Sequence, residues 1–183
     1  MLSTIARPAR AVLALTIALS STSAIANAER AAFPTVSGHN LNGRAVEIPH
    51  DLAGNANLVY VAFLPAQQAE VDSWQPFAAE LGRLPSFRAY QLPIISNAYT
   101  VMRGFLDNVM RGAIEDSRAR DSTITLFLDK GKFERELGIA SEGEISVFLI
   151  RPSGQILWRA TGAFDPAKPP GIAKFLAPPV PPH

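Results

Sequence analysis

The sequence ANLVYVAFL at residues 56–64 leads directly into PAQQAEVDSW at residues 65–74. The residues from Leu58 to Leu64 form an unbroken apolar run, which is typical of a strand buried on both faces of a mostly parallel sheet. In open sheets of this kind, the loop after the carboxyl end of a central strand is the usual place for a functional site. Here that loop contains Gln67 and Gln68 but no cysteine and no obvious nucleophile. The stretch therefore indicates a fold more clearly than a reaction.

The first 28 residues have the pattern of an export signal. Arg7 and Arg10 supply the positive start, residues 11–19 (AVLALTIAL) form a short apolar segment, and residues 26–28 (ANA) match a small-residue cleavage site. The apolar segment is shorter than the ~20 residues that a membrane span needs, which favours a cleaved signal over an anchor helix. We therefore expect a periplasmic or secreted protein with no stable membrane span, whose mature chain of residues 29–183 suits one domain.

Charge and cysteine content exclude several classes of function. Removal of the first 28 residues takes away two of the 17 basic residues and none of the 16 acidic ones, which leaves a formal charge of −1. A near-neutral chain without a basic cluster is a poor candidate for binding nucleic acid or anionic lipid. The chain has no cysteine, so thiol peroxidase, disulfide-exchange and thiolate-metal chemistry are excluded.

Helix and strand patterns alternate along the rest of the chain. The predicted elements are an edge strand at 45–49, the central strand at 58–64, a helix from about 71 to 81, a strand at 87–95, a long helix from 97 to about 113, a strand at 123–128, a short helix at 133–137, a hairpin of strands at 145–150 and 156–160, and a last helix ending near 176. This order predicts a three-layer α/β/α sandwich with a mixed sheet and a C-terminal β-hairpin plus helix. Residues 177–183 (APPVPPH) read as a proline-rich disordered tail.

The long helix has two different sides. Its apolar stripe contains six residues: Val101, Met102, Phe105, Leu106, Val109 and Met110. Arg103, Asp107 and Arg111 run along the opposite side with four-residue spacing. The usual interpretation of such a charged row is a solvated face. The alternative is a recognition stripe that also includes Glu115.

Four short blocks carry a resemblance to a known family. They are residues 71–74 (VDSW) after the central strand, Arg103-Gly104 on the long helix, residues 145–150 (ISVFLI), and residues 154–162 (GQILWRATG) in the hairpin. With these blocks, the chain resembles the thioredoxin-like superfamily in its redoxin or peroxiredoxin-like form, which implies a thioredoxin-like domain at residues 29–176. Within that superfamily it is similar to the mitochondrial ATP synthase assembly chaperones and their bacterial relatives.

The chain departs from that family at the residues that carry its redox chemistry. Thioredoxin-type enzymes have Cys-x-x-Cys after the first central strand, where this chain has LPAQQ at residues 64–68. They also have a cis-proline just before the strand that begins here at Ile145, and the neighbours of Ile145 are Glu144 and Ser146. The assembly chaperones act without thiol chemistry, so only their branch of the resemblance is compatible with this sequence.

Seven residues are candidates for an interaction surface: Gln67, Gln68, Trp74, Arg103, Arg111, Trp158 and Arg159. The two glutamines follow the central strand, where they either meet a ligand or simply cap the next helix. Trp74 could anchor a partner, but its helical register with Val71 favours a core position. Trp158 and Arg159 are adjacent on a strand, so one of the two points inward.

The leading hypothesis is a non-catalytic, thioredoxin-fold periplasmic protein that binds another protein. Its more specific version is an assembly factor or chaperone for a membrane complex. The alternatives are a redoxin-like oxidoreductase that works without cysteine and a small-molecule-binding module. No catalytic residue and no cofactor is predicted. His39, His50 and His183 have no spacing that indicates a metal site.

Overall fold

The computed structural model describes residues 32–176, so the predicted export signal and the proline-rich tail lie outside the described residues. Its strands are β1 Val36–Asn40, β2 Ala45–Ile48, β3 Ala56–Ala62, β4 Phe87–Ser96, β5 Ile124–Leu128, β6 Ser146–Ile150 and β7 Ile156–Thr161. Its α-helices are α1 Gln68–Ser73, α2 Gln75–Leu81, α3 Arg103–Ala113, α4 Ser117–Ser122, α5 Lys130–Leu137 and α6 Ala173–Leu176. Three 3-10 helices cover Pro65–Gln67, Asn97–Met102 and Pro169–Gly171.

The described strands form one mixed sheet in the order β2-β1-β5-β4-β3-β6-β7. Strand β3 pairs in parallel with β4 and antiparallel with β6, so Leu58 lies between Ala89 and Leu149. Strands β6 and β7 form the predicted antiparallel hairpin. Every residue of β3 except Ala62 is buried, as its apolar run predicts for a strand with neighbours on both sides and layers on both faces.

Two separate cores lie on the two faces of this sheet. Val59 and Val61 of β3 pack on one face in a cluster that includes Phe133 of α5. Leu58 and Tyr60 pack on the other face, in a cluster that includes Val71, Trp74 and Ile172. Because successive side chains of a strand point to opposite faces, this one strand contributes to both cores. The prediction of a three-layer α/β/α sandwich is confirmed.

Several element boundaries differ from the sequence prediction. Residues 36–40 form a strand, and the predicted helix near 71–81 is two helices with Trp74 between them. The segment between the predicted long helix and the predicted strand at 123–128 contains α4, whose first turn is capped by Asp116 Oδ1 accepting from Arg118 N at 3.0 Å. Helix α5 begins at Lys130 because Asp129 Oδ1 accepts from Lys132 N at 2.9 Å. Side-chain caps of this kind stabilise the first turn of a short helix, which hydrophobic periodicity alone does not reveal.

The long predicted helix shows the largest difference. Residues 97–102 form a 3-10 helix, and none of the residues of α3 is buried. Val101 is 94% exposed, Phe105 64% and Val109 56%, whereas Leu106 and Met110 are half-buried. The charged row instead makes contacts with β5 and with residues in and just after β1. The interpretation of that row as a solvated face is therefore wrong for Arg103 and Asp107, which are half-buried, whereas Arg111 is exposed.

None of the helices between residues 32 and 176 is both long and apolar enough to cross a membrane.

Candidate functional site

The carboxyl end of β3 is closed by the side chain of Gln67. This side chain is buried, and its Oε1 accepts from the backbone N–H groups of Phe63 at 2.8 Å and Leu64 at 3.1 Å. Its Nε2 donates to the carbonyl oxygen of Glu142 at 2.7 Å, which ties the loop before β6 to the end of β3. The amide group thus satisfies backbone groups that burial would otherwise leave unpaired. Gln67 stabilises the loop and does not present its amide to solvent.

A lysine and two glutamates lie beside this loop. Lys130 Nζ is 2.5 Å from Glu142 Oε2 and 5.2 Å from the centre of the Phe63 ring. Loss of solvation raises the pKa of Glu134, and the hydrogen bond and negative charge of Glu142 raise it further against the lowering effect of Lys130. Partial burial would raise the pKa of Glu142, but hydrogen bonds with Lys130 and Glu134 lower it on balance. The proximity of the two carboxyl groups thus moves their pKa values in opposite directions.

These groups come from two segments, helix α5 and the loop before β6, and sequence reasoning missed them. Lys130 and Glu134 are four residues apart, which is a signal for a helical pair. Nothing in the sequence indicates that Glu142 completes the cluster. Among residues 32–176, no three His, Cys, Asp or Glu side chains are grouped as a metal site requires. The Lys130 ammonium group of the cluster is paired with Glu142.

Gln68 does not share the environment of Gln67. It is exposed, and its Nε2 donates to Asp72 Oδ1 at 2.9 Å on the same helix. The structure therefore separates the two adjacent glutamines into one buried residue and one surface residue.

Trp74 and Trp158 meet in the core on the α1 side of the sheet. The Trp74 side chain is fully buried, and its Nε1 donates to Gly162 O at 3.0 Å. Its ring lies 6.0 Å from Trp158 and 5.1 Å from Phe164, both in edge-to-face geometry. Such pairs stabilise a core beyond their buried area. Trp74 is therefore a core residue, and Trp158 is half-buried against it.

Arg159 lies on the opposite face of β7. Its guanidinium group is 5.5 Å from the centre of the Phe148 ring, and Nη1 donates to Leu137 O at 3.2 Å. The alternation along β7 thus sends Trp158 inward on one face and Arg159 to the other, as the sequence predicts for adjacent strand residues.

Arg103 and Arg111 hold the inner side of α3. Arg103 Nη1 is 3.4 Å from His39 Nδ1, and its guanidinium carbon lies 4.9 Å from the centre of the Phe127 ring. Arg111 Nε donates to Leu41 O at 2.7 Å. Between them, Asp107 Oδ1 accepts from Thr125 Oγ1 at 2.9 Å. The row that sequence analysis singled out thus anchors α3 to this chain's own sheet.

The outward side of the same segment is apolar. We call it the α3 apolar face, and it consists of Tyr99, Val101, Met102, Phe105 and Val109, which are 44% to 94% exposed. Its two aromatic rings alone leave on the order of 200 Å² accessible, given ~150–250 Å² for each aromatic side chain. Single exposed apolar residues are ordinary, whereas apolar patches larger than a few hundred Å² are typical of interaction sites.

Comparison with solved structures identifies the fold. A protein described as a thiol:disulfide interchange protein DsbE from Chlorobium tepidum matches with a TM-score of 0.50 and 18% identity, over 80% of this chain and 96% of that chain. The chain has a thioredoxin-like fold. The exposed lipoprotein thioredoxin Etrx1 from Streptococcus pneumoniae matches this thioredoxin-like fold with a TM-score of 0.50 and 14% identity, over 78% of this chain and 98% of that chain. No protein-family model and no curated protein sequence matches the chain.

Proposed function

We propose that this thioredoxin-like chain is a non-catalytic protein of the periplasm or cell exterior that binds another protein through the α3 apolar face. The observation that carries the proposal is the orientation of α3. Its charged residues are used against the sheet, while Val101, Phe105 and Val109 face solvent. An amphipathic helix normally buries its apolar side, so this helix is complete only when another molecule covers it.

The chemistry of that face favours an apolar protein surface. No charged residue belongs to it, and each large apolar side chain that a partner buries contributes ~1.5–3 kcal/mol. Aromatic side chains such as Tyr99 and Phe105 concentrate binding energy in protein interfaces. The face is smaller than the ~800 Å² per partner of a standard interface, so surrounding residues complete the contact.

The sequence supports the remaining parts of the proposal. The chain has no thiol, and the buried polar groups of Gln67 are bonded within the protein. The leader pattern at residues 1–28 supports a site of action outside the cytoplasm. The resemblance to assembly chaperones supports a partner that is a subunit of a membrane complex during assembly.

Site-specific crosslinking in the native cell tests the proposal. We would replace Phe105 with a photoreactive benzoylphenylalanine and place the same group at Glu136, an exposed position on α5, as the matched control. We expect one protein adduct from position 105 that is absent from position 136. Adducts to lipid alone, adducts to a second copy of this chain alone, or the same adducts from both positions would contradict the proposal.

A charge on the α3 apolar face provides the complementary measurement. Phe105→Lys should abolish co-purification of the crosslinked partner, because a buried ammonium group without a counter-charge is costly. Glu136→Lys changes an exposed residue on the other face and should leave co-purification unchanged. If the partner still co-purified with the Phe105→Lys variant, the interface would not include the α3 apolar face.

The oxidoreductase alternative remains a prediction with its own assay. Peroxide consumption or disulfide reduction by the purified protein, well above a heat-treated control, would replace the binding role with a catalytic one.

A further inference from the structure

A cavity of about 340 Å³ lies between the end of α5, residues 138–144, and strands β6 and β7. Its volume is near the lower end of the ~300–1,000 Å³ range of small-molecule sites. Leu137, Ile139 and Phe148 supply an apolar lining. The Gln67 loop and the α3 apolar face do not line this cavity. It is therefore a separate feature from both regions discussed above.

Arg159 is an exposed residue at this cavity that makes two contacts with the rest of the chain. Its guanidinium group lies over the buried Phe148 ring, and Nη1 donates to Leu137 O. The other guanidinium N–H groups have no hydrogen-bond partner within residues 32–176, and they are free to donate to a ligand. A guanidinium group that is already oriented loses little freedom when it binds a carboxylate.

Glu144 supplies the opposite charge in the same cavity. Its carboxylate rests against Gly162, where an added Cβ atom would come within 3.2 Å of Glu144 Cδ. The ion pairs of the described chain are Lys130–Glu142 and Lys132–Glu136, so Glu144 and Arg159 line one cavity without contacting each other. The hydroxyl group of Ser146, a buried residue at the same cavity, also has no side-chain partner within residues 32–176.

We propose that this cavity binds a small zwitterion with an apolar side chain, a free α-amino acid of the leucine type. Its carboxylate would bind the free guanidinium donors of Arg159, and its ammonium group would bind the Glu144 carboxylate. The apolar side chain would then pack on Leu137, Ile139 and Phe148. Two opposite charges beside an apolar lining match the three parts of such a molecule, whereas a simple anion or cation would leave one protein charge without a partner.

Titration with L-leucine, followed by protein NMR, tests this assignment on the full chain. We expect the amide signals of Gly138, Ser146 and Thr161 to shift and saturate. N-acetyl-leucine lacks the ammonium group and leucine amide lacks the carboxylate, so each should bind at least roughly tenfold more weakly, as expected for one charged hydrogen-bonding group. Absence of saturable shifts with L-leucine, or equal affinity for all three compounds, would overturn the proposal.

Two variants separate the role of each charge. Arg159→Gln and Glu144→Gln should each weaken L-leucine binding at least roughly tenfold, and Arg151→Gln, at the exposed turn between β6 and β7, should leave it unchanged. Glu144→Gln is informative even if Arg159→Gln disturbs folding, because Glu144 has no hydrogen bond within the described chain. Unchanged affinity in Glu144→Gln would overturn the assignment. None of these outcomes depends on the α3 apolar face.

Discussion

At the scale of single residues, the hydroxyl groups of the buried Tyr60 and Tyr90 differ in whether they have a hydrogen-bond partner. Tyr60 OH is buried without a hydrogen-bond partner within residues 32–176, and burial raises the pKa of Tyr60. Tyr90 OH accepts from Ala53 N at 3.1 Å. We therefore expect Tyr60→Phe to raise the free energy of unfolding by about 1 kcal/mol and Tyr90→Phe to lower it by about the same amount. Urea unfolding measures both, and equal destabilisation by the two variants would contradict the assignment of partners.

The two adjacent glutamines give a second matched pair. Gln67→Leu removes three hydrogen bonds and leaves the N–H groups of Phe63 and Leu64 without their acceptor. We expect it to lower the free energy of unfolding by about 2–3 kcal/mol. Gln68→Leu removes one exposed side-chain bond and should cost less than about 0.5 kcal/mol. Urea unfolding compares them, and a similar small effect at both positions would show that Gln67 does not hold the loop.

The carboxyl pair of Glu134 and Glu142 predicts a pH effect. Because its pKa is raised, Glu134 binds a proton more tightly in the folded than in the unfolded chain, so stability rises as pH falls from neutral through that pKa. The lowered pKa of Glu142 acts at lower pH, where protonation of its folded form removes stability. Glu134→Gln should abolish the rise on acidification above about pH 4.5. Thermal unfolding across pH measures it, with Glu136→Gln as the surface control; an unchanged profile would contradict the pairing.

At the scale of elements, the sequence predicts that a helix has an apolar side and a charged side, but it does not predict which side faces the sheet. Hydrophobic periodicity correctly marked β3, β6, β7 and the helix now called α3. It could not decide which side of α3 faces the sheet, because that depends on the surface below it. That surface contains His39 and Thr125, which offer polar partners to Arg103 and Asp107. These residues come from strands before and after α3, and no local pattern in the sequence indicates that they lie side by side.

Substitutions on the two sides of α3 test its orientation. Asp107→Ala loses the hydrogen bond from Thr125 Oγ1 and should lower the free energy of unfolding by about 1 kcal/mol. Phe105→Ser changes a side chain that is 64% exposed and should change stability by less than about 0.5 kcal/mol. Chemical denaturation distinguishes them. A helix that buried its apolar stripe would give the reverse order, with a loss of about 3–5 kcal/mol at Phe105.

At the scale of the whole molecule, stability should be distributed unevenly. Strand β3 has hydrogen-bonded neighbours on both sides and contributes to both cores. Helix α3 has no buried residue. Because local opening needs less free energy where few apolar contacts are lost, amide hydrogen exchange should be slowest in β3 and β6 and much faster in α3. Equal protection of α3 and β3, measured on the isolated protein by mass spectrometry, would contradict this picture.

The order of elements and the resemblance to the thioredoxin-like superfamily were sufficient for the fold, but not for the arrangement of side chains around the cavity. The absence of cysteine removes thiol chemistry without any structure. The contact between Gln67 and Glu142, by contrast, joins residues 75 positions apart. Glu144 and Arg159 likewise come from different segments, and only the closed sheet brings them to one cavity. Such sites depend on register and on loop paths, which a single sequence does not specify.

The α3 apolar face also has a consequence for the expression level of the protein. Molecules made in excess of their partner would present Val101 and Phe105 to one another, and concentrated apolar surfaces promote aggregation. We therefore expect overproduction of this chain alone to give turbid or proteolysed material. Co-expression with a partner identified by the proposed crosslinking should restore a clear preparation, so the yield of soluble protein would report the ratio of the two proteins.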